Sequence, residues 1–235
     1  MTKAFVTGAT GAVGEAVLSE LAKHNIDVCF SYYRSEIKAN ALASQYEFQA
    51  IKIDLRDLQT VKQGLSVLHE RSFVPDIFIH CAAIASTQAL EGISLQEWEE
   101  MHAVNCGAAL VICQELIPGM SANKNGDILF VGALDQSQSI PLPVHFSATQ
   151  GALQTMAMAL SKEFGSVGIR VNMISTGLLT EGLSDGFEQA LHEDYLRYSC
   201  LKRKGTPEEL AKVISWFARE NRYVSGKVIP VNGGI

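Results

Sequence analysis

Three glycines, Gly8, Gly11 and Gly14, stand three apart in "FVTGATGAVGEAV". After a strand-like run and ahead of an amphipathic helix, such a triplet suits dinucleotide binding. One glycine permits a tight turn, the next lets the backbone approach a pyrophosphate, and the third lets helix and strand pack closely. The N–H groups left free at the helix start then meet negative charge. The candidate contacts in this loop are Gly8, Thr10, Gly11, Val13 and Gly14. About 20 residues beyond such a loop, an acid would bind the ribose of NAD. The chain instead reads "CFSYYRSE", with no acid at the strand end and Arg34 directly after it. A guanidinium offers two donors in one plane to a 2′-phosphate, so the sequence favours NADP(H) over NAD(H). The plainer alternative is that Arg34 is a solvated loop charge. Asp54, in "IKIDLRD", either accepts from the adenine amino group or caps the helix that begins near Asp57.

These residues need a scaffold, and the chain supplies one. Strand-length apolar runs ("KAFVTG", "IDVCFSYY", "FQAIKID", "PDIFIHCAA", "GDILFVGA", "GIRVNMIS" and "GKVIPVNGG") alternate with helical patterns beginning near Val13, Ser35, Asp57, Leu95, Val144 and Pro207. Apolar strands with little alternation are what a parallel sheet covered on both faces requires. The expectation is an α/β, doubly wound, Rossmann-type parallel sheet of seven strands with helices on both faces, formed by residues 1–235 as a single domain.

With 235 residues, 47% of them hydrophobic and 19% charged, the chain can bury a sizeable core. A net charge of −6 argues against nucleic acid or an anionic membrane as the main partner. Apolar runs such as 77–85 fall short of the roughly 20 residues that a membrane span needs. The N-terminus enters a strand pattern at once, leaving no room for a signal peptide. Cys29, Cys81, Cys106, Cys113 and Cys200 form no C-x-x-C pair. They read as small apolar residues of a reduced cytoplasmic protein, and no metal site is expected.

Taken together, these pieces resemble the short-chain dehydrogenase/reductase family, most of all its 3-oxoacyl-(acyl-carrier-protein) reductases. The likeness runs from Lys3 to the terminal "VNGGI". "TGATGAVG" occupies the cofactor loop, "IDL" with Asp54 and Leu55 the adenine site, and "AVNCGAAL" holds Asn105 after the fourth strand. "GDILFVGA" and "GIRVNMISTG" match the fifth and sixth strands, and "LKRKGTPEELAKVISWFA" with "YVSGKVIPVNGG" is the most specific match. There are departures. The 8-11-14 glycine spacing and His80-Cys81-Ala82-Ala83, with Ala82 as a cofactor contact, look like the extended members. Thr176 stands where proline generally precedes Gly177.

The resemblance also implies a serine, a tyrosine and a lysine that this chain lacks. Phe146 and Gln150 stand at the tyrosine and lysine positions, and thirteen residues before Phe146 the serine position holds Ala133. The tyrosine would deliver the carbonyl proton, a contribution of roughly 10²–10⁴ in rate. The serine would steady the oxyanion, and the lysine would lower the tyrosine pKa and hold the nicotinamide ribose. Of the usual four residues only Asn105 remains, as a water-binding group or as the partner of a helix irregularity. Gln150 keeps a donor and an acceptor for the ribose. His145 is a candidate acid, although neighbouring helical side chains diverge by about 100°. Asp135 and Gln136 are candidates to position water. His80 reads as a strand-end residue near the cofactor or, more plainly, as a turn residue bonded to backbone. His102 reads as structural, and the segment from Thr180 to Arg203, with Tyr195, Tyr198, Lys202 and Arg203, reads as a lid.

Three functions fit these residues. One is an atypical NADP(H)-dependent reductase of a small or carrier-protein-bound acyl thioester or polyketide-like carbonyl, with Asn105, His145 and Gln150 as its catalytic candidates. Another is a non-catalytic subunit. The resemblance implies a homodimer or homotetramer, or a hetero-oligomer with an active relative, through the Ala- and Met-rich helix beginning at Val144. The third is a nucleotide-dependent sensor. The retained cofactor half favours the first, and the joint loss of three side chains favours the second.

Overall fold

Seven apolar runs become strands β1 (Lys3–Thr7), β2 (Asp27–Tyr32), β3 (Gln49–Lys52), β4 (Ile77–His80), β5 (Gly126–Ala133), β6 (Ile169–Thr176) and β7 (Val228–Val231). They pair in parallel in the order β3-β2-β1-β4-β5-β6-β7. The computed structural model describes residues 1–133 and 142–235. The candidates Asp135 and Gln136 lie outside the described residues.

The connecting helices are α1 (Ala12–Ala22), α2 (Glu36–Tyr46), α3 (Leu58–Glu70), α4 (Leu95–His102), α5 (Ala108–Ala122), α6 (Val144–Phe164), α7 (Gln189–Tyr198) and α8 (Pro207–Glu220). Their starts follow local chemistry. Asp57 accepts from the backbone N–H groups of Gln59 and Thr60 at the start of α3, and Ser94 accepts from that of Glu97 in α4. Thr206 and Glu209 cap each other reciprocally around Pro207. Asp57, not Asp54, is therefore the cap of α3.

Because both sheet faces are covered, successive strand residues feed two cores. Phe5, Phe78, Ile128 and Phe130 pack with α3, α5 and α6 on one face. Ala4, Val6, Ile79 and Leu129 pack with α1, α2 and α8 on the other. At the far end of β5 and β6, Asp127 is buried and its carboxylate is held by the Arg170 guanidinium, with Nε at 2.8 Å and Nη2 on the other oxygen. Burial pushes the Asp127 carboxyl upward, and only Arg170 and the more distant Arg222 oppose it.

Two features differ from the sequence expectation. The helix expected from Leu95 is interrupted by a π-helical turn at Ala103–Gly107, and α7 forms inside the segment read only as a lid. The continuous run Leu95–Ala122 is also long and apolar enough to cross a membrane by length and composition. Its apolar window is 56% buried inside the fold, because α5 lies in the core against the sheet.

The strand order reverses between β1 and β4. In an open α/β sheet the crevice at that point, beyond the carboxyl ends of the strands, is where a ligand sits.

Candidate functional site

A cavity of about 610 Å³ occupies this crevice, lined from the β1 loop across the ends of β2 and β3 to β5, β6 and the segment before α7. Gly8 turns with φ +67°, and a Cβ there would come within 2.6 Å of the Ala82 backbone, so only glycine fits. The Gly11 N–H donates to the Gly8 carbonyl at 3.0 Å and closes the turn. Gly11 is also the N-cap of α1, and no side chain caps it. The first N–H groups of α1 therefore lack an intrahelical partner at a point where Gly11, Ala12 and Val13 wall the cavity. That is a seat for an anion, and it fits a pyrophosphate. Thr10, Gly14 and Ala82 line the same wall.

At the adenosine end stand Tyr33, Arg34, Asp54, Leu55 and Arg56. The exposed Arg34 guanidinium lies 5.2 Å from the Tyr33 ring centre and has no hydrogen-bond or ion-pair partner among the described residues. Asp54 is committed elsewhere than the sequence suggested. Its Oδ1 accepts from Arg56 N and Nε, both at 3.0 Å, and its Oδ2 from Arg56 Nη2 at 2.8 Å. That guanidinium holds the Asp54 carboxyl below the usual range. Sequence reasoning missed Tyr33 and Arg56. Arg56 stands in the quoted "IDLRD", but nothing in that spacing couples it to Tyr33.

At the opposite end, Ala133, Phe146 and Gln150 do converge on the cavity wall. Phe146 is 2% exposed, and its ring meets that of Phe187 edge-on at 6.3 Å. Leu142, Leu178 and Leu183 complete an apolar lining. Gln150 lines the cavity; its Oε1 accepts from the Ala133 N–H at 2.9 Å and its Nε2 donates to Thr149 Oγ1 at 3.4 Å, which leaves one amide proton without a partner among the described residues. Thr176 lines the wall but donates its hydroxyl to the Gly177 carbonyl. Cys81 lines it too, its thiol pushed up to about 12 by burial and therefore inert as an acid.

Two catalytic candidates lie off this wall. His145 is fully buried but faces α4, with Nε2 3.3 Å from Glu97 Oε1, as the 100° step from Phe146 requires. It is not among the cavity-lining residues. Asn105 is also buried away from the cavity, in the π-helical turn. Its Oδ1 accepts from Ile84 N at 2.8 Å, and its Nδ2 donates to Ile84 O and Thr149 Oγ1, each at 3.0 Å. Both amide protons are thus consumed in tying the segment after β4 to α6. His102 stacks on Trp98 at 4.1 Å and bonds its carbonyl. In the lid segment, the buried Tyr195 hydroxyl donates to the Asn232 carbonyl at 2.7 Å, whereas Tyr198 is exposed.

His80 links the cofactor loop to the π-helical turn. Its Nε2 lies 3.3 Å from the Asn105 carbonyl and its Nδ1 2.8 Å from Thr7 Oγ1. The carbonyl can only accept, so Nε2 carries the proton and Nδ1 accepts from the Thr7 hydroxyl. That oxygen in turn accepts from the Ala82 N–H at 3.4 Å. Burial pushes the His80 pKa down to about 4 from an ordinary 6.5, against the smaller opposing pull of the Asn105 and Val104 carbonyls. With the folded pKa below the unfolded one, the unfolded chain gains a proton that the folded chain refuses as pH falls below 6.5. Stability is therefore lost between pH 6.5 and 4, by roughly 2 kcal/mol at pH 5. Urea melts at pH 7 and pH 5 should show this loss, and His80→Asn should flatten it. An equal pH slope in that variant would rule His80 out as the source.

A family model described as enoyl-(acyl carrier protein) reductase matches residues 8–235. The chain is similar to the 3-oxoacyl-(acyl-carrier-protein) reductase FabG of Staphylococcus aureus, 25% identical over 242 residues, covering 100% of this chain and 98% of that protein. It is similar to the 3-oxoacyl-(acyl-carrier-protein) reductase MabA of Mycobacterium tuberculosis, 23% identical over 232 residues, covering 98% of this chain and 91% of that one. In solved structures, a blue fluorescent protein from a metagenomic library in complex with NADPH superposes with a TM-score of 0.91 at 24% identity, covering 99% of this chain and 97% of that one. At that identity the likeness is one of fold.

Proposed function

The chain belongs to the short-chain dehydrogenase/reductase family, and on that premise we propose that it binds NADP(H) and reduces a carbonyl of an acyl thioester or polyketide-like substrate without a tyrosine–lysine proton relay. The observation that carries this reading is the continuous cavity, which joins an anion seat at the start of α1 to an apolar chamber at Ala133 and Phe146. The relatives FabG and MabA, both 3-oxoacyl-(acyl-carrier-protein) reductases by name, support the substrate class.

Each residue has a part in this reading. The α1 N–H groups would hold the pyrophosphate, and Arg34 would take the 2′-phosphate. Gln150 would offer its remaining amide proton to the nicotinamide ribose. Hydride for the acceptor carbon is the chemistry that a nicotinamide cofactor held by these residues would supply. Phe146 and Phe187 exclude water from the chamber and contact an acyl chain. Asn105 acts as a positioning residue, tying the wall residue Ile84 to Thr149 behind it. The carbonyl proton comes from water or from an acidic group of the substrate, because His145 faces Glu97.

A second reading is a non-catalytic subunit paired with an active relative. It is favoured by the exposed apolar side chains Leu110 on α5 and Val144 and Met158 on α6, which offer a face for a homodimer, a homotetramer or a mixed oligomer.

Calorimetric titration with NADPH and NADH, followed by carbonyl-dependent loss of NADPH absorbance with a small β-ketothioester, tests both readings. Tighter binding of NADPH and measurable turnover are expected. NADPH binding with no turnover would transfer the assignment to the subunit reading. No binding of either dinucleotide at millimolar concentration would end both cofactor assignments.

A further inference from the structure

We propose that Arg56 is a second determinant of cofactor specificity, acting on the 2′-phosphate beside Arg34, and that Asp54 and Tyr33 serve as its positioning residues. This rests on the NADP(H) reading above.

Arg34 and Arg56 both lie over one aromatic ring, their guanidinium carbons 5.2 and 4.6 Å from the centre of Tyr33, and all three residues line the cavity. An arginine has five N–H donors in a fixed fork. In Arg56, Nε and Nη2 bind the two oxygens of Asp54, and Nη2 also donates to the Tyr33 hydroxyl. Both protons of Nη1 have no partner among the described residues. The guanidinium is thus clamped on one edge and stacked on one face, with its remaining edge available to an anion. A clamped arginine loses little rotamer freedom when it takes a phosphate, unlike a mobile surface side chain.

The end of β2 also lacks the feature that would select NADH. A carboxylate accepting from the ribose 2′-hydroxyl is the usual NAD determinant. Asp54, which follows β3, has both oxygens bound by Arg56. The Asp54–Arg56 pair is about one-third exposed, so it adds little to stability, and its effect should appear in ligand discrimination.

The test uses 2′,5′-ADP and 5′-AMP as probes, titrated calorimetrically into the intact chain, so that nothing depends on turnover. Arg56→Ala should weaken 2′,5′-ADP roughly tenfold or more, the amount expected for a hydrogen bond between charged groups. Binding of 5′-AMP should stay within about threefold. Arg56→Lys keeps the charge but cannot hold the Asp54 fork and a phosphate together, so it should recover less than half of the lost binding energy. Equal weakening of both probes, or of neither, overturns the proposal while leaving NADP(H) binding intact. If the wild-type chain bound neither NADPH nor 2′,5′-ADP, the cofactor reading itself would fall, and this proposal with it.

Discussion

The triple variant Ala133→Ser, Phe146→Tyr, Gln150→Lys should reduce a small β-ketothioester with NADPH roughly 10²–10⁴ times faster than the wild-type chain, the range that a positioned general acid supplies. The prediction follows from placement. Ala133 ends β5, and Phe146 and Gln150 stand four apart on one face of α6, all three on the wall of one cavity. The scaffold therefore holds the three positions together even though their side chains cannot transfer a proton. The single change Gln150→Lys should perform worse than the triple. It supplies a lysine without the tyrosine hydroxyl that would deliver the proton, and the loss of Gln150 Oε1 as acceptor of the part-buried Ala133 N–H is common to both variants. The measurement is kcat/KM for the ketothioester, with NADPH affinity followed in parallel. A triple variant that binds NADPH normally yet gains no turnover would show that the cavity does not bring an acceptor carbonyl to these positions.

Arg170→Met should destabilise the fold by roughly 3 kcal/mol, at the low end of the range for breaking a buried ion pair. Asp127 is 6% exposed and depends on Arg170 for both of its carboxylate oxygens, while Arg170 keeps some contact with water. Removing the cation leaves a buried carboxylate whose pKa burial has already raised, so the fold must accept either an unpaired charge or a proton. The double variant Asp127→Val, Arg170→Met removes both partners and should recover most of the loss, because an apolar pair pays no desolvation penalty. Urea denaturation at pH 7 reads both effects. If the double variant were no more stable than Arg170→Met, the loss would lie in the arginine's packing and its bonds to Asn125 and Gly168, not in the stranded acid.

Local patterns carried much of the fold. Strand-length apolar runs between amphipathic helices were enough to call for a doubly wound sheet, and β1 through β7 appear where those runs lie. The glycine spacing pointed to a turn in which Gly8 takes positive φ and Gly11 opens the α1 terminus. That Ala133 would stand with Phe146 and Gln150 was legible only through the family resemblance, whereas the i, i+4 spacing by itself places just Phe146 and Gln150 on one face of α6.

Asn105 could be read as the partner of a helix irregularity, but the interruption at Ala103–Gly107 itself and its partners were not legible. It depends on Asn105 reaching Ile84 and Thr149, residues 21 and 44 positions away. Helix α7 was missed because the tie that holds it, Tyr195 to the Asn232 carbonyl, spans 37 positions.

The sequence by itself determined which side chains this protein has available for chemistry, the tyrosine, lysine and serine positions included, and the layered sheet that carries them. Only the tertiary structure decided which of those side chains remain free to act. Asp54 is taken by Arg56, Asn105 by Ile84 and Thr149, and His145 turns to Glu97. The physical reason is that periodicity tells which face of an element a residue occupies, whereas a polar group's state depends on the partners that another element brings within hydrogen-bonding distance.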